Sequence, residues 1–590
     1  MYDLSVPGSV SGDNTLQRAQ RLRRKRSASI HMISVPTPVL LHGDEPVSPN
    51  RTNYFPTPQL MLASSVLDRL EAEGIPWTVH FDDFKSIPDM EHWDAYLQPY
   101  AEFQYGHKKL TKAYVGDGMQ RLPHALWDAD VVCITANFTL EAYPVVQAIA
   151  TLRRLDPNKL ILVGGRDAMA RPDYFLRMGA DLVAYGDADY SLPELLVRLY
   201  RDEDLDDLVK SRCLVQTGER IQMDGLPFMR FEFLKNPLTH YCESGGGQFL
   251  PSILKKGGVA YFESSRGCFR ECGYCTERLT KRSEMSVQRF KDEVAWYRAN
   301  GVSTVMLSDD NLLQRLNHGE RGELELIEMF EYLKKMEMVW EFPVGIEIGR
   351  LMQKDSSDFR EHLFDLMFWN SDDPDNFSGA FRGLVPFENI LADGDAPETN
   401  LRKMRTVNEN MQILSRVIAA GMPQINLAVM LGFPDATKDK LKATRKNLET
   451  IMEIRDDITD ESDRLIGSHI NFSLFNATPY PGTPYFDEVI REKRLEYGIE
   501  EHPELWNLYT SVVRGDTFTA AENTENRHEL LQLTRSHHSS GKVKLHFGSG
   551  DEARPTTRKS KNNMVPPGAQ PDARDSYVGS GFRGDSFDVV

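Results

Sequence analysis

Three thiols stand close together in the run Glu263-Ser264-Ser265-Arg266-Gly267-Cys268-Phe269-Arg270-Glu271-Cys272-Gly273-Tyr274-Cys275. Cys268, Cys272 and Cys275 have the spacing C-x3-C-x2-C. Thiolates are the usual protein ligands of iron–sulfur clusters, and three on one tight loop can each hold one iron of a [4Fe–4S] cube. Gly267 and Gly273 let the backbone approach closely while the sulfurs gather. No fourth cysteine follows, and the nearest histidines are His240 and His318. A structural zinc wants four filled positions, so zinc is a poor fit. The remaining iron is then open, and it can accept an amino nitrogen and a carboxylate oxygen from a small molecule. Cys133, Cys213 and Cys242 are isolated, and 6 cysteines in 590 residues make no disulfide scaffold, which points to a cytoplasmic chain.

Such a loop has to be delivered by a rigid element. It directly follows an apolar strand expected over Val259–Glu263, the first of a strand–helix series beginning at Gly257. Further strands are expected over Ser303–Leu307, Phe342–Ile348, Ser378–Leu384, Asn426–Leu431 and His469–Leu474. Amphipathic helices such as Glu323–Lys335, Leu401–Ala420 and Asp439–Arg455 separate them. Six βα units with right-handed crossovers make a barrel or partial barrel, with functional groups at the carboxyl ends of its strands. The aromatic residues Trp340, Phe342, Trp369 and Tyr480 read first as core.

An earlier α/β series has short apolar strands over Ile30–Val35, Trp77–Phe81, Val131–Thr135, Leu160–Val163 and Leu182–Tyr185. Helices over Gln59–Ala72, Tyr143–Leu155 and Leu192–Tyr200 alternate with them, which implies a doubly wound parallel sheet covered on both faces. The expected divisions are a disordered basic tail at 1–26, the first domain at 27–205 with an insertion near Lys85–Leu126, and a linker at 206–256 containing Gly245-Gly246-Gly247. The barrel domain follows at 257–480 and a helical extension at 481–535. The last segment, 536–590, is too poor in aliphatic residues to offset its ordering entropy and reads as a disordered tail.

The cysteine spacing, with the aromatic Tyr274 before the third cysteine, resembles the radical S-adenosylmethionine (SAM) superfamily. The resemblance implies that SAM chelates the open iron and is cleaved reductively to methionine and a 5′-deoxyadenosyl radical. It carries over Tyr274, then Ser308, Asp309 and Asp310 of Ser308-Asp309-Asp310-Asn311 after the second strand, as SAM contacts. Glu388, in Gly383-Leu384-Val385-Pro386-Phe387-Glu388, resembles the carboxylate after the fourth strand. Gly432 opens the turn Gly432-Phe433-Pro434-Asp435-Ala436-Thr437 after the fifth, and Thr478-Pro479-Tyr480-Pro481-Gly482-Thr483 resembles the turn after the sixth. Taken singly, each of these is also an ordinary turn or cap sequence.

Open α/β sheets bind ligands at the carboxyl ends of their strands. In the first domain those ends are Thr135-Ala136-Asn137-Phe138-Thr139, Gly164-Gly165-Arg166-Asp167 and Tyr185-Gly186-Asp187-Ala188-Asp189. No G-x-G-x-x-G follows the first strand, which counts against NAD or FAD. The ordered set resembles the cobalamin-binding domain found upstream of many radical SAM enzymes, with Thr135, Asn137, Gly164, Gly165, Gly186 and Asp187 as the implied contacts. The motif D-x-H-x-x-G is absent, and the loop at Thr37–Pro56 offers His42, Arg51 and Tyr54 in another arrangement. Cobalamin without a histidine ligand is the expectation.

Together these features resemble the cobalamin-dependent radical SAM enzymes of the class B methyltransferase type: a Rossmann-like cobalamin-binding domain followed by a partial (β/α)6 radical SAM barrel. The resemblance implies transfer of a methyl group from SAM, via methylcobalamin, to a carbon of a small-molecule substrate, in specialised-metabolite or antibiotic biosynthesis. A tryptophan 2-C-methyltransferase of thiopeptide biosynthesis is one such relative. Phosphorus methylation and cyclisation or rearrangement stay open. It also implies an electron donor such as flavodoxin or ferredoxin. With 69 Lys+Arg against 87 Asp+Glu, a net charge of −18 argues against a nucleic-acid partner, and no apolar run is long enough for a membrane span. Methylthiotransferases, which carry a second cysteine trio and a basic tail, fit neither Cys133 alone nor this charge.

Overall fold

The computed structural model describes residues 12–23, 25–47, 55–88, 92–205, 211–215, 222–241, 257–279, 281–352, 359–368, 378–386, 407–461 and 469–539. Its first half carries β1 (Ser29–Ser34), β2 (Thr37–His42), β3 (Glu45–Pro46), β4 (Thr78–Asp83), β5 (Leu97–Tyr105), β6 (Lys108–Val115), β7 (Val131–Thr135), β8 (Leu160–Gly164), β9 (Leu182–Tyr185) and β10 (Cys213–Val215). Short runs such as Val-Val-Cys-Ile-Thr are buried on both faces, as a parallel sheet under two helix layers requires. The sheet has the order β10-β9-β8-β7-β1-β4 with all neighbours parallel. The chain winds one way from β1 to β4 and the other from β7 onward, so the topological switch lies beside β1.

Three expectations need correction here. Residues 12–22 are not a disordered tail but a helix docked on the first domain. Arg18 donates to Asp181 Oδ1 at 2.5 Å, and Arg153 reaches the other oxygen of the same fully buried carboxylate at 2.5 Å. Of the basic run, Arg23 pairs with Asp202 and Lys25 with Asp130, so acids on the domain surface take up these charges. Second, the described part of 206–256 is no linker. Cys213–Val215 adds the sixth strand, while Met223, Leu226, Met229 and Tyr241 join a core shared by both halves. The Gly245–Gly247 run lies outside the described residues. Third, the insertion is not confined to Lys85–Leu126: its β5 and β6 form an antiparallel sheet, in the order β3-β2-β6-β5, with β2 and β3 from upstream.

The second half adds β11 (Gly258–Phe262), β12 (Ser265–Arg266), β13 (Ser283–Glu284), β14 (Val302–Leu307), β15 (Val339–Phe342), β16 (Gly379–Pro386), β17 (Gln424–Leu431) and β18 (His469–Asn476). Six of them form one parallel sheet in simple chain order, β11-β14-β15-β16-β17-β18, with β11 and β18 at its edges. The third strand ends earlier than expected. Pro343 supplies no donor for a ladder, Gly345 turns at φ +120°, and 348–351 becomes a 3-10 turn. Trp340 and Phe342 are core, their rings 5.6 and 6.3 Å from that of Phe330. Between them Glu341 faces the other way and forms a buried ion pair with Arg382 of β16. Trp369 lies outside the described residues.

The C-terminal extension is not a free-standing appendage. Leu505, Trp506, Val512 and Val513 share a core with Leu40 and Leu110 of the antiparallel sheet. The Tyr105 hydroxyl donates to the Ser511 carbonyl at 2.8 Å. The helix Ala520–Ser539 runs past the expected boundary at 535, and the rest of the expected tail lies outside the described residues. Among the described residues no helix is long and apolar enough to cross a membrane.

Candidate functional site

The cysteine loop leaves β11 and is pinned at its root. β12 pairs antiparallel with β13, so the cysteine loop leaves from and returns to one small ladder. Asp309, just past β14, accepts from the Ser264 and Ser265 hydroxyls at 2.6 Å each. It is 1% exposed, and burial pushes its carboxyl up to about 6 against those hydrogen bonds. Its neighbour Asp310 accepts from the Gly267 amide at 2.6 Å, and Gln314 donates to the Gly267 carbonyl at 3.1 Å. Gly267 has φ +71°, a conformation an L side chain rarely takes, which supports the glycine reading at that position.

Past this root the thiols follow. Cys272 is buried, Cys268 and Cys275 are half-buried, and none of the three is disulfide-bonded. The Arg270 amide lies 3.4 Å and the Asn311 amide nitrogen 3.7 Å from Cys268 Sγ, donors that stabilise a thiolate. Among the described residues no three His, Cys, Asp or Glu side chains converge on one point as a single-ion site demands. A cube makes a different demand: one thiolate to each of three irons. The donor set, all sulfur, on one loop and supported by N–H groups, fits it. Cys133, by contrast, is a core thiol that burial pushes up to about 12.

Opposite this loop lies the carboxyl edge of the first sheet. Gly165 has φ +113°, and a Cβ there would stand 2.5 Å from the Ala136 carbonyl oxygen and 2.7 Å from Asn137 Oδ1. The glycine therefore lets two strand ends of the protein touch, so backbone packing is what the geometry displays at this expected cobalamin contact. Gly164 is ordinary in this respect. Thr135 is half-buried at the end of β7, and the Asn137 amide is held by Glu141 at 3.0 Å. Gly186 turns at φ +93° with its amide on Met169 Sδ. Two rings stand in the open on either side of the glycine turn, Phe138 and Tyr185, each 48% exposed. A broad, partly apolar ligand lying across β7, β8 and β9 would cover both.

Two charge networks, one nearly buried and one partly exposed, connect the edges. Arg266, next to the cysteine loop, reaches Asp189 at 2.6 Å and Asp187 at 3.6 Å in the first domain, and Glu263 at 2.9 Å in its own. Burial opposes its charge, but the three carboxylates outweigh that and hold it firmly protonated. Asp187 is pushed up to about 6, by burial first, with Arg266 working in the opposite direction. In return Arg166, directly after Gly165, ion-pairs with Glu277 just past Cys275 and lies 3.5 Å from Asp310. Asp310 is pushed up to about 7 by burial and by Glu277.

The remaining expected SAM contacts divide three ways. Ser308 donates to the Phe262 carbonyl at 3.3 Å, which places it at the barrel mouth. Tyr274 packs near Phe433 with 6.5 Å between ring centroids. Gly432 has φ +71°, and a Cβ would lie 2.9 Å from Asn476 Oδ1, so this glycine also serves close packing between strand ends. In the last turn Thr483 acts as a helix cap, accepting from the Phe486 amide at 3.2 Å. Glu388, Arg51 and Tyr54 lie outside the described residues. Glu347 was not anticipated: it ion-pairs with Arg270 and accepts from Asn311 at 2.9 Å, beside the first cysteine. Arg166 and Arg266 could have been singled out, since each abuts a motif glycine.

No protein-family model matches the chain, and no curated protein matches it either. Among solved structures, the chain is similar to the radical S-adenosylmethionine methyltransferase TsrM from Kitasatospora setae, solved with cobalamin and a [4Fe-4S] cluster bound. They are 14% identical over 85% of each chain, with a TM-score of 0.47. It is also similar to SuiB from Streptococcus suis, 11% identical over 38% of this chain and 52% of that one, with a TM-score of 0.21. For SuiB bound to its precursor peptide SuiA the values are 9%, 44% and 49%, with a TM-score of 0.24.

Proposed function

We propose that this chain is a cobalamin-dependent radical SAM methyltransferase, moving a methyl group from SAM to a carbon of a small-molecule substrate bound between the two sheet edges. The carrying observation is the juxtaposition of the cysteine loop with the carboxyl edge of the first sheet through Arg266, Asp187 and Asp189. When bound, a [4Fe–4S] cluster supplies electrons and an open iron for SAM, and cobalamin supplies a nucleophilic cobalt that carries methyl. Cys268, Cys272 and Cys275 would hold the cluster. Ser308, Asp310, Tyr274 and Gly432 rim the position for SAM, while Asp309 positions the loop through its two serine bonds. Thr135, Asn137, Gly164, Gly165, Gly186 and Asp187 form the cobalamin edge, with Phe138 and Tyr185 added as flanking rings. The context we assign is specialised-metabolite biosynthesis in the cytoplasm, with electrons from a flavodoxin- or ferredoxin-type donor.

Anaerobic incubation of reconstituted protein with deuteromethyl-SAM, hydroxocobalamin and a reductant tests this. Deuteromethylated corrinoid is the expected product. Protein that holds zinc in place of iron, or that takes up no corrinoid, overturns the assignment. Release of 5′-deoxyadenosine alongside a labelled corrinoid would show the reductive SAM cleavage that a radical route requires, and its absence would favour polar transfer.

A further inference from the structure

The two edges exchange arginines. Arg166 belongs to the first domain, and its partners Glu277 and Asp310 belong to the barrel. Arg266 belongs to the barrel, and Asp187 and Asp189 belong to the first domain. Both routes end on one residue, the positive-φ glycine that precedes Cys268. Arg266 is bonded to it covalently, and Asp310 holds its amide at 2.6 Å. The Arg266 and Asp189 side chains are 11% and 8% exposed, so removing one partner strands a buried charge, the costly case for an ion pair.

We propose that Arg166 and Arg266 are positioning residues, a reciprocal clamp through which the first sheet's edge fixes the conformation of the cysteine loop. This rests on the functional reading above for its purpose, but not for its geometry. Coupling of this kind is reciprocal: whatever orders the sheet edge orders the loop, and loop assembly in turn favours ligand at the edge. The clamp sets the cysteine loop and the first sheet's edge in register with each other.

The test uses the full chain before iron–sulfur reconstitution and measures iodoacetamide alkylation at each cysteine by peptide mass spectrometry. Asp189→Asn and Arg166→Met both change the first domain, far in sequence from the trio. Each is expected to speed alkylation of Cys268 and Cys275 by about fivefold or more. Cys133 and Cys213 in the first sheet should keep their wild-type rates, and Arg266→Lys, which keeps a cation on Asp189, should restrain the loop as the wild type does. Unchanged rates at Cys268 and Cys275 overturn the clamp. So does equal acceleration at Cys133 and Cys213, which marks general unfolding. A second arm adds hydroxocobalamin, which should slow alkylation of the trio in the wild type but not in Asp189→Asn; equal slowing in both overturns the coupling. A wild-type chain that binds no corrinoid removes the functional reading while the first arm still decides on the clamp.

Discussion

The two six-stranded parallel sheets use the same βα unit, yet their carboxyl edges are furnished in opposite ways. The first edge presents glycines at 164, 165 and 186, an amide and two rings left in the open, and its charges, Arg166, Asp187 and Asp189, are turned toward the barrel. The barrel edge is crowded with Asp309, Asp310, Asn311 and Glu347, all tied by hydrogen bonds to the cysteine loop and its root. Strand order explains much of the difference. A sheet whose winding reverses beside β1 opens a crevice suited to a broad ligand. A sheet in simple chain order can curl toward a barrel, turning its strand ends inward on a compact group. One edge is shaped to be covered, the other to converge.

That contrast breaks most readily at the cysteines. Cys272→Ala should abolish iron binding and the visible absorbance of the cluster, while hydroxocobalamin uptake, followed by its own spectrum, survives. Loss of both would mean that the edges are not separate sites. The mirror experiment is Gly165→Ala. Its Cβ would press on the Ala136 carbonyl in a conformation costing about 1–3 kcal/mol, so denaturant unfolding should shift and corrinoid uptake fall while iron content is kept. Phe138→Ala removes an exposed ring and should leave the melting temperature unchanged. It should weaken corrinoid binding by about tenfold, the effect of about 1.4 kcal/mol of lost contact. Unaltered affinity would take the rings out of the site.

The last effect, on stability alone, concerns the barrel's interior. Burial pushes the Glu341 carboxyl up to about 7, with Arg382 pulling the other way. A carboxyl raised above its ordinary 4.5 favours the folded state below that value, and the contribution is lost as pH rises through 7. Between pH 5 and 8 the wild type should therefore lose on the order of 1–3 kcal/mol relative to Glu341→Gln. Paired urea titrations at the two pH values would reveal it, and parallel slopes for the two proteins would refute it.

Much of this was legible from residue order. Val131–Thr135 and Leu182–Tyr185 begin and end where their apolar runs do, because a strand buried on both faces has no polar position to blur it. The cysteine loop was legible because its chemistry depends on spacing within one turn. Residues 12–22 were misread because basic residues on a short helix look solvated until Asp181, far along the chain, supplies the buried partner. The connector was misread for a similar reason: Met223, Leu226 and Met229 are spaced like loop residues and find their core only between two domains. Glu347 lacked a local signature altogether, and the two arginines had only a neighbouring motif glycine to mark them. Their partners are 77, 111 and 77 residues away, beyond the reach of any periodicity.

One contact sets a timetable. The amide of Tyr485, in the helix Pro484–Arg491, donates to the Gly273 carbonyl at 2.9 Å, so the loop that would carry the iron is fastened by a segment made two hundred residues later. During translation the three sulfurs leave the ribosome long before their last anchor does. A nascent chain halted before Pro484 would therefore leave the cysteine loop without this hydrogen bond.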